Sequence, residues 1–408
     1  MACVNRSTGR IIYMDNAATT RLYDEALEAM MPYLKDGYAN PSGVYDFAQE
    51  AAKAAAGARF DIADAIGARP NEIYFTSGGT ESDNWAVKGI VSAARSSAVS
   101  GYGRKVTGEG RPHIITSAIE HHAVLNTCRQ LEDEGCMVSY VNPNSDGIIP
   151  VDEIESLICD ETVLISVMFA NNEIGTLQPV KEIGALAREH KIPFHTDAVA
   201  ALGHIPINVK DAGIDLMSAS AHKFGGPKGV GFLYVNEAIK LPPLMHGGAQ
   251  EQGRRAGTIN VPGVVGMAAA VLKNQKDMDE NLVRMSELGD HFMDQVEAFN
   301  AADNMACGHI RINGCIKNRI PGSYSLTIPG ISSEPLIVRL GEEGICVSAG
   351  AACATLEGSP SHVLKAIGLT KDEADSSMRI SMSPSNMEEE IDILFEALGR
   401  LTNKEAFR

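Results

Sequence analysis

The chain has 408 residues, 44% hydrophobic and 21% charged, with a formal net charge of −17. That length exceeds what one hydrophobic core usually holds, so two packed domains are expected. The acidic balance repels nucleic-acid phosphates and anionic lipid, so the expectation is small-molecule chemistry with protein partners, without direct nucleic-acid or membrane binding.

Eight cysteines (Cys3, Cys128, Cys136, Cys159, Cys307, Cys315, Cys346 and Cys353) are scattered without a CxxC pair, which disfavours a zinc ribbon or a thioredoxin-like motif. The first residues lack the apolar run of a signal peptide, and no apolar stretch is long enough to span a bilayer. Free thiols in a reducing cytoplasm are therefore expected.

In chain order, residues 24–36 and 45–66 are rich in Ala, Glu and Lys with apolar positions at helical spacing, which predicts two helices. Short apolar runs then predict strands over 72–76, 113–116, 137–141, 163–169, 193–197, 215–218 and 231–235. Helices are predicted between them over 81–94, 123–134, 152–157 and 180–190. This alternation argues for an α/β fold with a mostly parallel sheet covered on both faces. The polar stretch 92–112, prominent in Gly and Ser, reads as a long surface loop. Beyond residue 262 the pattern changes: a long helix over 264–299, a strand over 323–328, helices over 333–343 and 360–367, a strand over 378–382 and a helix over 387–401. We expect a large domain over 20–262, and a smaller α+β domain formed by 1–19 together with 263–408.

Three segments carry chemistry. FTSGGTES (75–82) leads from a strand through glycines into a helix start, where bare N–H groups can cradle an anion; an ordinary capped turn is the alternative. SASAHKFGGPKGVGF (218–232) places Lys223 just after an apolar strand, at the sheet edge where open α/β folds put chemistry. In isolation it would read as a solvated turn lysine. HTDAVAALG (195–203) ends a strand on Asp197, a carboxylate costly to bury without a cationic partner; a helix cap is the other reading.

With YMDNAATT (13–20), NPSGVY (40–45), ITSAIEHHAVL (115–125), ANNEIGTLQP (170–179), HGGAQEQGRRAGT (246–258), SAGAAC (348–353), SPSHVLKAIG (359–368) and SSMRIS (376–381), these segments resemble the NifS-like and IscS-like cysteine desulfurases of the class V aminotransferase family over nearly the whole chain. The resemblance implies a pyridoxal 5′-phosphate (PLP) enzyme of fold type I, with a seven-stranded, mainly parallel sheet in the large domain. It also implies a homodimer with sites at the subunit interface, acting on L-cysteine and passing its sulfur to an acceptor protein.

Residue by residue, the resemblance implies that Lys223 binds the cofactor covalently, Asp197 pairs with its ring nitrogen, and His121 stacks on the ring and takes part in proton transfer. Gly79, Thr80, Ser220 and His222 would hold the phosphate, with Thr258 reaching over from the partner subunit. Asn172 would lie beside the cofactor and substrate, and Arg379 would grip the substrate carboxylate with paired hydrogen bonds. Cys353 would be the nucleophile that takes the sulfur, and the small and polar residues around it suit an accessible thiol. Cys128, Cys136, Cys159, Cys307, Cys315 and Cys346 read as packing residues, and His122 as a surface neighbour of His121.

One position departs from the family pattern. Ala200 stands where the family has a glutamine that hydrogen-bonds the cofactor's phenolic oxygen, which leaves Asn172 or water to compensate. Two rival readings follow. One is a selenocysteine lyase or another PLP-dependent sulfur-compound lyase, which would use the same lysine and arginine. The other is a catalytically weakened scaffold for sulfur-transfer partners.

Overall fold

The computed structural model describes residues 4–96, 102–106, 110–302, 308–349 and 360–403. A seven-stranded sheet runs in the order Ile73–Thr76, Gly231–Val235, Leu216–Ser220, Phe194–Asp197, Thr162–Ser166, His113–Ser117 and Met137–Val141. Only Gly231–Val235 runs against its neighbours; the other pairings are parallel. The expected mainly parallel α/β sheet is therefore present.

The sheet is covered on both faces, as parallel strands require. Along Gly231–Val235, Phe232 and Tyr234 enter one apolar cluster with Met267 and Ile183. Leu233 and Val235 enter another with Trp85, Ile90 and Leu131. This is the period-two alternation of a pleated strand. Each fully buried aromatic or branched aliphatic side chain contributes roughly 1.5–3 kcal/mol relative to exposure.

A second sheet holds four antiparallel strands in the order Ser348–Ala349, Ser377–Ser381, Ser323–Thr327 and Arg311–Asn313. The early strand Ile12–Tyr13 pairs in parallel with Ile345–Cys346, and Asp15 bridges to Ser381. Ile12 and Met14 pack with Leu326, Ile380 and Phe395 in a third cluster. The helix Val261–Ala301 is long enough to contribute to two cores: Val264 and Met267 join the cluster under the large sheet, whereas Leu288 and Phe292 join the third.

Several boundaries differ from expectation. The helix Gly79–Arg95 begins two residues early and takes residues 92–95 from the expected loop, because its apolar face (Val87, Ile90, Val91, Ala94) continues into the core. The part of that loop over 102–106 is tethered: Tyr102 N–H donates to Ala238 O, and Arg104 reaches the carbonyls of Cys159 and His190. The helix expected over 360–367 is the shorter His362–Ala366, followed by an unforeseen turn of helix, Lys371–Asp375, with a Thr370–Glu373 capping box. No helix of the described residues is long and apolar enough to cross a membrane.

Candidate active site

A cavity of about 590 Å³ opens where the C-terminal ends of the central strands meet the second sheet. It is lined by Gly79, Thr80, His121, Asn172, Asp197, Ser220, His222, Lys223 and Arg379. Nine positions singled out in the sequence thus converge from segments up to 300 residues apart.

One end is built for an anion. Gly78, at φ +146°, turns the chain from the strand Ile73–Thr76 into the helix Gly79–Arg95 with no side-chain cap, leaving the first-turn N–H groups for a ligand. The backbone there must stay bare. A Cβ on Gly79 would lie 2.6 Å from Val199 Cγ2, and one on Gly231 would lie 2.3 Å from Ala219 O and 2.8 Å from Gly78 Cα. Glu81 would oppose an anion at this mouth, but Arg255 neutralises it with two bonds of 2.8 and 3.0 Å. His222 shares a hydrogen bond with Thr19 Oγ1 (3.2 Å), and burial with neighbouring Lys223 and Lys228 pushes its pKa down to about 4.

At the centre, Lys223 Nζ donates to the carbonyls of Ala17 (2.6 Å) and Ala18 (3.0 Å), so the YMDNAATT turn orients the amine. Asp197 is 5% exposed and accepts from Val199 N–H at 2.9 Å. Burial raises its pKa, partly offset by His121, this hydrogen bond and Lys223. His121 caps the helix His122–Asp133 by accepting from Ala123 N–H at Nδ1 (3.1 Å), which leaves the proton of the neutral ring on Nε2. Burial lowers its pKa, opposed by Asp197.

At the far wall, Arg379 is 2% exposed and held in a fixed plane. Its Nη2 donates to Asp15 (2.8 Å) and its Nη1 to the Asn172 carbonyl (2.9 Å), while its buried Nε has no partner among the described residues. Such a clamped guanidinium at a cavity wall suits a small carboxylate. Ala200 also lines the cavity and brings no polar atom beyond its backbone.

Other expectations resolve differently. Thr258 is exposed and outside this cavity's lining. Cys353 lies outside the described residues, as does Cys307. Cys128 and Cys136 are buried as expected, but Cys159, Cys315 and Cys346 are only partly buried. His122 is no surface residue: it is half-buried, lines the cavity, and meets the His362 ring edge-on at 4.9 Å.

Sequence reasoning missed three buried acids on the cavity, Asp83, Glu120 and Glu173. Glu120 Oε1 accepts from Ser117 Oγ (2.5 Å) and Met168 N–H (2.9 Å); burial pushes its pKa up to about 8. Glu173 accepts from Ser361 Oγ at 2.5 Å, and His362 Nε2 lies 3.0 Å from the Glu120 carbonyl. Both contacts tie the start of the helix His362–Ala366 to the cavity. Local pattern gives no sign of them, since each acid sits in a turn or helix start where exposed carboxylates are ordinary.

Three comparisons bear on this site. The family model described as “Aminotransferase class-V” matches residues 12–394. The chain is 44% identical to “Cysteine desulfurase IscS” of Methanosarcina thermophila over 97% of this chain and 93% of that protein. Among solved structures, a “NifS-like protein” superposes with a TM-score of 0.86 at 34% identity, covering 96% of this chain and 99% of the other. “SspA in complex with cysteine” superposes with a TM-score of 0.75 at 36% identity, covering 92% and 100%. With a family match over residues 12–394 and 44% identity to a curated relative over almost the whole length, the chain belongs to the class V aminotransferase family, on its IscS-like and NifS-like branch.

Proposed function

We propose that this chain is a PLP-dependent cysteine desulfurase, converting L-cysteine to L-alanine and leaving the sulfur as a persulfide on Cys353 for an acceptor protein. The observation that carries the reading is the cavity itself: a bare glycine cradle, a buried aspartate, an oriented lysine and a clamped arginine line one cavity, and these are the groups that a phosphate, a ring nitrogen, an aldehyde carbon and a substrate carboxylate call for. The residues fit the cofactor. A Cβ on Gly79 or Gly231 would collide with Val199 or with the backbone of Ala219 and Gly78, and the buried Asp197 calls for a cationic partner such as a protonated pyridine nitrogen.

When bound, PLP supplies an electron sink for charge developing at the substrate's α-carbon. Lys223 would hold it covalently, Asp197 would face its ring nitrogen, and Gly79, Thr80, Ser220 and His222 would receive its phosphate, with Thr258 joining from the partner subunit of a homodimer. His121 would cover the ring and move a proton through Nε2. Asn172 and Arg379 orient the substrate, the arginine plane being fixed before any ligand arrives. The Cys353 thiolate takes the substrate sulfur: a carbon–sulfur bond breaks, a sulfur–sulfur bond forms, and the carbon gains a proton to give alanine.

The chain then divides into a large domain over 20–262 and a smaller one over 1–19 and 263–408, acting in the cytoplasm. The test is mass spectrometry of the peptide containing Cys353 after incubation with L-cysteine and thiol trapping. A mass increase of one sulfur on that peptide supports the reading. Sulfur release without any labelled peptide favours a lyase that needs no protein thiol.

A further inference from the structure

Behind Asp197 lies a set of polar side chains to which the chemistry above assigns no task. Asp83, in the first turns of the helix Gly79–Arg95, is 1% exposed and lines the cavity, yet its Oδ1 has no hydrogen-bond partner among the described residues. The basic side chain beside it is His195, with Nε2 3.6 Å from that oxygen. His195 supplies no charge: it is fully buried, burial pushes its pKa down to about 3, and its ring nitrogens are engaged by Ser166 Oγ (2.8 Å) and Ser218 Oγ (3.0 Å).

Strand geometry brings these groups under Asp197. His195 and Asp197 are two apart on one strand and share a face. Ser218 is the register partner of Asp197 on the next strand. Asp83 approaches from the helix that covers this face. The groups facing it are Asp197 and His195 from one strand, Ser218 from the next, and Glu120 from the turn before the helix His122–Asp133, with His121 and Lys223 across the cavity. Burial strongly favours its protonated form, and the charge of Asp197 adds to this; the Ser218 hydroxyl opposes it only in part. Two carboxyl groups sharing a dry site do not both ionise readily.

We propose that Asp83 is a positioning residue that carries a proton and, as a neutral acid, reserves the negative charge for Asp197, where that charge faces the cofactor's ring nitrogen. The part concerning the ring rests on the PLP reading above; the part concerning the proton does not.

Two measurements test it. The first is the infrared spectrum of the cofactor-free protein at neutral pH, wild type against Asp83→Asn, with Glu120→Gln as the control for the other raised acid. A carboxylic-acid carbonyl band is expected in the wild type that Asp83→Asn removes and Glu120→Gln retains. If no such band is lost, Asp83 is ionised and the proposal is overturned. Should Asp83→Asn fail to fold, wild-type protein with carbon-labelled aspartate reads the same band, and its absence has the same meaning.

The second is the magnetic resonance shift of the ring nitrogen in isotope-labelled PLP bound to the protein. Asp83→Asn, a neutral stand-in, is expected to keep the wild-type shift, whereas Asp197→Asn moves it toward the unprotonated ring. If Asp83→Asn moves it as far as Asp197→Asn, Asp83 acts as an anion and the proposal falls. A chain that took up no PLP would overturn the functional reading, while the infrared band separately decides who carries the proton.

Discussion

Arg379 can serve a carboxylate because Asp15 and the Asn172 carbonyl have already fixed its plane. A lysine would keep the charge but not the fork. Arg379→Lys is therefore expected to lower kcat/KM for L-cysteine at least tenfold, about 1.4 kcal/mol or more, mainly through KM; an unchanged KM would remove Arg379 from substrate binding. Glu120 shows the opposite use of burial. Its folded pKa, about 8, lies above its unfolded value, so its ionisation opposes the fold. The cost is absent below the unfolded pKa, grows as pH rises through the window between the two values, and levels off above the folded one. Glu120→Gln keeps the carbonyl that accepts from Ser117 and Met168. It is expected to gain stability relative to wild type between pH 5 and pH 8, by roughly 2–5 kcal/mol, in denaturant titrations at the two pH values. A constant difference across that range would mean that Glu120 is ionised throughout.

At the scale of elements, the site is a set of strand ends and the turns that follow them. The crossing of Gly231 with Gly78 and Ala219 leaves no room for a methyl group, and the nearest atoms are backbone. Gly231→Ala should cost about 1–3 kcal/mol of stability and weaken cofactor binding, seen as a lower Tm and a reduced absorbance of bound cofactor; a wild-type Tm would show that the cradle can yield. Ala200 sits on the wall beside Lys223, and Ala200→Gln is expected to shift the cofactor's absorption band without abolishing sulfur release. An unshifted band would place residue 200 out of reach of the ring. These elements were legible in the sequence to different degrees. The long alternation from residue 72 to 235 announced the sheet because most of its strands carry short apolar runs between turns, such as IYFT at 73–76 and GFLYV at 231–235. Strands of two or three residues, such as Ile12–Tyr13, Arg311–Asn313 and Ile345–Cys346, are too short to show a period, and long-range pairing alone defines them.

For the whole molecule, the motifs identified the lysine, aspartate, histidine and arginine of the cavity because each sits in a distinctive local string. Asp83, Glu120 and Glu173 were not legible, since their meaning depends on a burial that only the packed helices create. Thr258 raises the assembly question: it is exposed and away from the cavity of its own chain, as a residue serving a partner's site would be. Sedimentation should give the mass of two chains, and Thr258→Ala should weaken PLP binding by about 1–3 kcal/mol through the lost phosphate contact. A monomer with unaltered affinity in the variant would refute that arrangement. The central claim is tested most directly by measuring alanine and sulfide released from L-cysteine with a reductant present, for wild type beside Lys223→Ala and Cys353→Ala. The account predicts equal amounts of both products from wild type and none above background from either variant; PLP-loaded wild type that releases neither product, or a Cys353→Ala variant as active as wild type, would contradict it.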